Sequence, residues 1–259
     1  MLGAIIGDII GSRFEFKNTN NYDFTLFAAD SDYTDDTICT VAIADALLNG
    51  SEDYKAYLLK WCRKYPWPKG AYGGSFSAWL HSNDPQPYNS FGNGSAMRVS
   101  AVAWWFDNLE DALIQAKRTA LPTHDHSEGV KGAVAVAHAI WHFRKGGDIA
   151  GFIKLANEYY PGFLHYPYEF GCFDETCQGT VPLCFYIVAH STSFEDAIRN
   201  AVACGGDSDT IGAIVGSIAE AIWGVDDALY IHALSLLPED MRNVVTKFRN
   251  QINSRYENS

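Results

Sequence analysis

The sequence predicts an all-α protein, and three observations carry that expectation. Apolar residues recur three and four positions apart in segment after segment along the 259 residues. Several of those segments open on a capping residue followed by acids, the signature of a helix N-terminus. Alternating apolar and polar runs, which a half-buried strand needs, are nearly absent. The best of them, "FYIV" at 185–188, stands too isolated to build a sheet.

The first helical segment, 2–13, places Gly3, Gly7 and Gly11 on one face. Such a stripe lets another helix approach closely, although glycine weakens helix propensity. The next, 35–48 ("DDTICTVAIADALL"), ends at Asn49-Gly50, a C-cap sequence. Helical spacing then recurs over 52–65, 71–82, 95–106, 109–120, 127–146, 148–159, 180–191, 194–203, 209–223, 226–236 and 239–254. Starts with a cap and acids stand at Ser51-Glu52-Asp53, Asn108-Leu109-Glu110-Asp111, Ser193-Phe194-Glu195-Asp196 and Pro238-Glu239-Asp240. Long polar interruptions fall at 17–34, 83–95 and 160–179, a length at which loops are usually functional or disordered. No linker, repeat or low-complexity tract divides the chain, so one domain over 1–259 is expected.

Apolar content of 47% and charged content of 19% fit a compact folded protein. Seven Trp, 14 Tyr and 15 Phe supply large buried contacts. The net charge of −12 argues against a non-specific grip on DNA or RNA, which needs a basic patch. It leaves room for a nucleotide whose phosphates meet metal ions or backbone N–H groups. Six cysteines without a CxxC pair read as reduced thiols in a cytoplasmic protein. The opening "MLGAIIGDIIGSRFEF" carries Asp8 mid-run and no preceding basic residue, so it does not read as a signal peptide. No other run is long and uncharged enough to span a membrane.

Chemistry concentrates at three helix mouths. "GGDSDT" at 205–210 runs into the apolar "IGAIVGSIAEAIWG", yet one Asp is enough for an N-terminus. "TDDT" at 34–37 opens another apolar helix in the same way. Either motif alone reads as an ordinary acidic first turn; together they carry more acid than caps use. Four carboxylates with flanking Thr hydroxyls are hard ligands of the kind Mg²⁺, Mn²⁺ or Ca²⁺ prefers. Where two such mouths meet, the acids raise one another's pKa unless a cation sits between them. The third mouth, "NSFGNGSAMR" from Asn89 to Arg98, is a glycine-rich loop whose N–H groups can hold a phosphate. Glu15 follows the first helix between Phe14 and Phe16, and His124 lies beside a helix start in "PTHDH". His126 lacks a third ligand nearby. His138 and His142 share a helix face without the glutamate of HExxH, so no zinc site is expected there.

Together, "GAIIGDIIGSRFE" at the start, "TDDT" at 34–37, "SFGNGSAMR" at 90–98, "TH" at 123–124 and "GGDSDTIGAIVGSIAEAIWG" at 205–224 resemble the ADP-ribosylglycohydrolase family. This family comprises the dinitrogenase-reductase-activating and ADP-ribosyl-acceptor hydrolases. The match is ordered and nearly full length. The resemblance implies a compact orthogonal helical bundle with a binuclear site for two divalent cations, Mg²⁺ or Mn²⁺. It assigns Thr34, Asp35 and Asp36 from one mouth, and Asp207, Asp209 and Thr210 from the other, as metal ligands. Glu15 matches the glutamate at the substrate. Ser90, Phe91, Gly92, Asn93 and Gly94 match the ADP-ribose loop, and His124 a substrate-side histidine. The reaction implied is hydrolysis of the bond between the distal ribose of ADP-ribose and an acceptor, with Glu15, Asp35 or Asp36 as general base.

Arginine and serine are the foremost acceptors, with a nucleic-acid base or O-acetyl-ADP-ribose also compatible. Expected partners are therefore an ADP-ribosylated protein or small-molecule conjugate, bound by a monomer without a membrane or extended nucleic acid. The chain is short for the family, and "VDDALYIHALSLLP" after Gly224 lacks an Ile-Pro found there. Two alternatives stand beside this reading. One is a non-catalytic, crystallin-like binder of the same fold, which the full set of acids disfavours. The other is a phosphatase with a DxDx[TV] nucleophile at 207–211, which requires a preceding strand where "FEDAIRNAVACGG" has helical spacing.

Overall fold

A computed structural model describes residues 1–165 and 168–257, and its regular structure is helical. Only two isolated β-bridges, Thr34 with Lys69 and Gly92 with Thr176, occur among the described residues. The chain begins with α1 (Leu2–Gly11), α2 (Asp35–Leu48), α3 (Tyr54–Lys64) and α4 (Gly74–His81). Next come the short α5 (Gly94–Met97) and α6 (Ser100–Trp105), then α7 (Leu109–Ala120), α8 (Ser127–Arg144) and α9 (Ile149–Tyr159). A 3₁₀ turn at Phe163–His165 precedes α10 (Cys177–His190), α11 (Phe194–Ala203), α12 (Ser208–Trp223), α13 (Asp227–Leu236) and α14 (Glu239–Glu257).

Local chemistry explains most of the boundaries. Asn108 and Ser193 accept the N–H groups of Asp111 and Asp196, as their sequence patterns predict. Asp53, not Ser51, caps α3 by accepting from Ala56 N. Thr176 caps α10, which starts three residues before the expected 180 and absorbs the "FYIV" segment. The single helix expected over 95–106 is broken at Arg98 and Val99. The break sets the Arg98 guanidinium inside the protein, on the carbonyls that end α7.

The most extensive helix pair is α1 with α12. The two run antiparallel with Gly3 against Gly216, Gly7 against Gly212 and Gly11 against Ser208. A Cβ built on Gly212 would sit 2.5 Å from the Gly7 carbonyl oxygen, and one on Gly7 or Gly3 would collide with the backbone opposite. The helices therefore touch backbone to backbone, with no side chain between them. Ile5, Ile6, Ile9 and Ile10 of α1 and Ile211, Ile214, Val215 and Ile218 of α12 bury their side chains in the core on either flank. This register brings the C-terminal end of α1 to the N-terminal end of α12.

An alanine at Gly7 gains roughly 1 kcal/mol in helix propensity but must part the two helices, for which overpacking costs of about 1–3 kcal/mol or more apply. The seam therefore predicts that Gly7→Ala lowers stability to urea. Gly74→Ala, where the added Cβ meets nothing within 4 Å, should stay within about 0.5 kcal/mol of the parent. Equal effects at the two positions would contradict the close contact.

Candidate active site

Asp8, at the middle of α1, is fully buried and serves as a brace. Its Oδ1 accepts from Thr34 Oγ1 (2.7 Å). Its Oδ2 accepts from Thr34 N (3.0 Å), Thr37 N (3.1 Å) and Thr37 Oγ1. The first turn of α2 thus hangs on α1, with Thr34 as its N-cap accepting from Asp36 N. At the facing mouth Asp207 stands at the N-cap position of α12, but its carboxylate caps nothing. Asn93 Nδ2 donates to Asp207 Oδ2 instead (2.6 Å), which ties the glycine-rich loop to this mouth. The cap role expected for one of these acids is therefore absent; a tertiary donor outcompetes the local backbone.

The two mouths meet. Thr210 Oγ1 donates to Asp36 Oδ2 across them (3.2 Å). Carboxylate oxygens of Asp8, Asp36 and Asp209 lie within 4.8 Å of one another, as do those of Glu15, Asp207 and Asp209. Asp36 Oδ1, Asp209 Oδ1 and Glu15 Oε2 are buried without a hydrogen-bond partner, an expensive state for carboxylate oxygens. Asp35 lines the same cavity without joining either group of three. The Thr34 hydroxyl is turned to Asp8 and, at 3.3 Å, to Asp36.

Glu15 is held over this cluster by Asn18. Its amide donates to Gly206 O (2.9 Å) and accepts from Gly206 N (2.9 Å), and it also donates to Phe14 O (2.7 Å). A side chain here stands in for a strand partner and ties the Glu15 loop to the turn before Asp207. Gly206, at φ +81° with Cys172 O where a Cβ would go, is a position only glycine fills. Phe16 stacks on Phe173, with ring centroids 6.2 Å apart, and joins the same loop to residues 168–176.

A cavity of about 260 Å³ opens from the acids toward Ser90, Gly92, Asn93, Gly94 and His124. N–H groups along the glycine-rich loop are already engaged: Asn89 with Asp125 Oδ1 (2.6 Å), Ser90 with Thr123 O (3.3 Å), Gly92 with Ser90 Oγ (3.2 Å) and Asn93 with Glu175 O (2.7 Å). Phe91 does not line the cavity; its exposed ring lies 5.3 Å from that of His126. His126 caps α8 by accepting from Glu128 N. His138 and His142 are taken up separately by Tyr159 and the Asp148 carbonyl, so they form no metal pair. A helix, α11, and no strand precedes the DxD segment, which removes the phosphatase reading. Sequence reasoning missed Asp8, Asn18 and the cavity-lining Glu175. A lone acid inside the apolar "GAIIGDIIG" was the available signal for the first.

Burial raises every acid of the cluster, and neighbouring carboxylates add to it at all but Asp8. Asp8 and Asp207 are pushed up to about 6, in both cases chiefly by burial. Burial, then Asp209 and Asp8, lift Glu15 to about 8. Asp35, Asp36 and Asp209 rise well above the ordinary range, first through burial and then through neighbouring carboxylates. No helix among the described residues is long and apolar enough to cross a membrane.

These shifts fix the sign of a pH dependence. Acids whose folded pKa exceeds the unfolded value bind more protons in the native state, so their stabilisation is complete below the unfolded pKa and lost as pH rises. Without divalent cations the melting temperature should fall as pH climbs from about 4 through about 6 and on toward about 8. Mg²⁺ or Mn²⁺ should cancel most of that fall. A cation-free protein that gains stability across this window would contradict the assignment.

The glycohydrolase family model, ADP-ribosylglycohydrolase, matches residues 1–258. The ADP-ribosylarginine hydrolase Tri1 of Pseudomonas putida is 24% identical, over 87% of this chain and 70% of that protein. The ADP-ribosylhydrolase ARH3 of Danio rerio is 26% identical, over 87% of this chain and 82% of the relative. The Xenopus tropicalis ARH3 match, also 26% identical, takes in 58% of this chain and half of the relative's length. A solved structure titled "ADP-ribosylglycohydrolase-related protein complex" superposes with a TM-score of 0.73 at 24% identity, covering 95% of both chains, and so shares the fold. With the motifs in their family order and a family match over nearly its whole length, this chain belongs to the ADP-ribosylglycohydrolase family.

Proposed function

We propose that the protein hydrolyses the glycosidic bond between C1 of the distal ribose of ADP-ribose and an acceptor, releasing ADP-ribose. The observation that carries this reading is the convergence of Glu15, Asp36, Asp207 and Asp209 at one end of a cavity that continues past the glycine-rich loop and His124. Arginine and serine side chains are the proposed acceptors. The likeness to an ADP-ribosylarginine hydrolase of Pseudomonas putida supports the first.

The donor set fits hard divalent cations, because two groups of three carboxylates, Asp8, Asp36 and Asp209 and then Glu15, Asp207 and Asp209, each bring oxygens within 4.8 Å of one another, and Asp36, Asp209 and Glu15 each keep a buried oxygen without a partner. Asp36, Asp207 and Asp209 would hold two Mg²⁺ or Mn²⁺, with Asp35, Thr34 and Thr210 beside them. Such ions supply positive charge for ribose hydroxyls and a more acidic bound water. Asp8, with both oxygens engaged, orients α2 and is not counted among the ligands. Glu15, half-buried over the cluster with Oε2 unpartnered, would take the proton of water attacking C1 once bound cations bring its raised pKa down; Asp35 and Asp36 remain the alternative bases. The loop at 90–94 and His124 orient the ADP moiety at a distance from the chemistry.

Release of ADP-ribose from ADP-ribosyl-arginine or ADP-ribosyl-serine peptides, read by mass spectrometry, should require Mg²⁺ or Mn²⁺ and stop with EDTA. Asp209→Ala should abolish it. Binding of ADP-ribose without release from either peptide would move the acceptor to nucleic-acid or small-molecule conjugates. Failure to bind both cation and ADP-ribose would contradict the reading. Glu15→Gln should lower kcat by about 10²–10⁴ while ADP-ribose affinity changes little. An unchanged kcat would transfer the base role to Asp35 or Asp36.

A further inference from the structure

His124 hangs from the end of α7. Its backbone N–H donates to Ala120 O (2.8 Å), and Thr123 N donates to the same carbonyl (3.1 Å). Arg98 reaches this helix end from below the cavity. Its Nη2 donates to Thr119 O (3.0 Å), weakly to Ala120 O (3.5 Å), and to Thr123 Oγ1 (2.8 Å). The guanidinium is buried at 1% exposure, and no carboxylate pairs with it among the described residues. Its charge meets the negative end of the α7 dipole instead.

The proton count then settles one histidine. A hydroxyl has one proton to give and two lone pairs. Thr123 Oγ1 already accepts from Arg98, and its remaining neighbour is His124 Nδ1 at 2.7 Å. Were the imidazole proton on Nδ1, Thr123 would accept twice and its own hydroxyl proton would have no acceptor in a fully buried site. The alternative satisfies both the hydroxyl and Nδ1: Thr123 donates to a bare Nδ1, and the imidazole proton sits on Nε2. That nitrogen borders the cavity at the glycine-rich loop. A Cβ on Gly92 would lie 3.6 Å from it, and one on Gly94 3.5 Å.

We propose that Arg98 and Thr123 lock His124 as a neutral imidazole protonated at Nε2, a fixed N–H donor for an anionic oxygen of the ligand's diphosphate and not an acid or base. The ligand in this statement rests on the ADP-ribose reading; the proton position does not. Arg98 and Thr123 are positioning residues. Burial and then the Arg98 charge hold the His124 pKa well below the ordinary value, in agreement with a neutral ring. A neutral donor here keeps its strength across neutral pH, whereas an imidazolium would lose its charge there.

The test is two-bond ¹⁵N–¹H correlation on the full chain labelled at histidine, with His124 assigned through a His124→Asn variant. His124 should show a bare Nδ1 and a protonated Nε2 from about pH 6 to about 8.5. A protonated Nδ1 or a charged ring in that range overturns the proposal. Thr123→Val, nearly isosteric but without the hydroxyl, should weaken ADP-ribose binding by calorimetry roughly tenfold, the scale of one hydrogen bond. Thr123→Ser should restore it, with Mn²⁺ affinity equal in all three proteins. Equal weakening by serine and valine overturns the relay. If the valine variant fails to fold, the parent spectrum decides alone. If the parent binds no ADP-ribose yet shows the expected spectrum, the proton assignment is supported and the ADP-ribose reading falls.

Discussion

The contact between the backbones of α1 and α12 is the constraint on which the site depends. Glycines at 3, 7, 212 and 216, with Gly11 against Ser208, allow an approach that any side chain would block. Side chains of isoleucine and valine on both flanks make the approach favourable by removing apolar surface from water. The antiparallel register then delivers Asp8 and the Glu15 loop to the mouth of α12, where Asp207 and Asp209 wait. From there the order of assembly is local. Asp8 carries the first turn of α2 on its two oxygens, and that turn presents Asp36 to Thr210.

The result is a store of electrostatic conflict. Carboxylates buried this closely cannot all ionise without a counter-charge, and burial is the largest cause of their raised pKa values. Hydrogen bonds relieve only part of it. Asn93 serves Asp207, and the Thr34 and Thr37 hydroxyls serve Asp8. The oxygens left without partners belong to Asp36, Asp209 and Glu15, and Asp209 belongs to both close groups of carboxylates. At the other end of the cavity the balance reverses. There a buried arginine meets only carbonyls and a hydroxyl, so one positive charge stands without a carboxylate partner in a protein that as a whole carries −12. A ligand with a diphosphate at one end and a ribose near divalent cations at the other suits both ends.

Much of this was legible in the sequence because its causes are local. Helix periodicity fixed α2, α7 and α11 to the residue, and the glycine stripe announced a close helix contact. The two acidic mouths stood out because each held more acid than a cap uses. What escaped were roles set by partners distant in the chain. Asp207 looks like a cap until Asn93, 114 positions away, claims it. Asp8 reads as an interruption of an apolar run until α2 is folded beneath it. Asn18 lies in a polar loop like any other, and its pairing with Gly206 is visible only once α12 is placed. Phe91 is the reverse case: its motif position points to a ligand, while its exposed ring lies beside His126 at the edge of the loop.

The central claim is that this helix seam assembles one cation site from two helix mouths and the Glu15 loop. Crystals grown with Mn²⁺ and ADP-ribose, measured for anomalous scattering at the manganese edge, test it most directly. The account predicts anomalous density enclosed by Asp36, Asp207 and Asp209, with the ribose against it and the diphosphate at His124. Ordered ADP-ribose in the cavity with no anomalous density at those three carboxylates would contradict it.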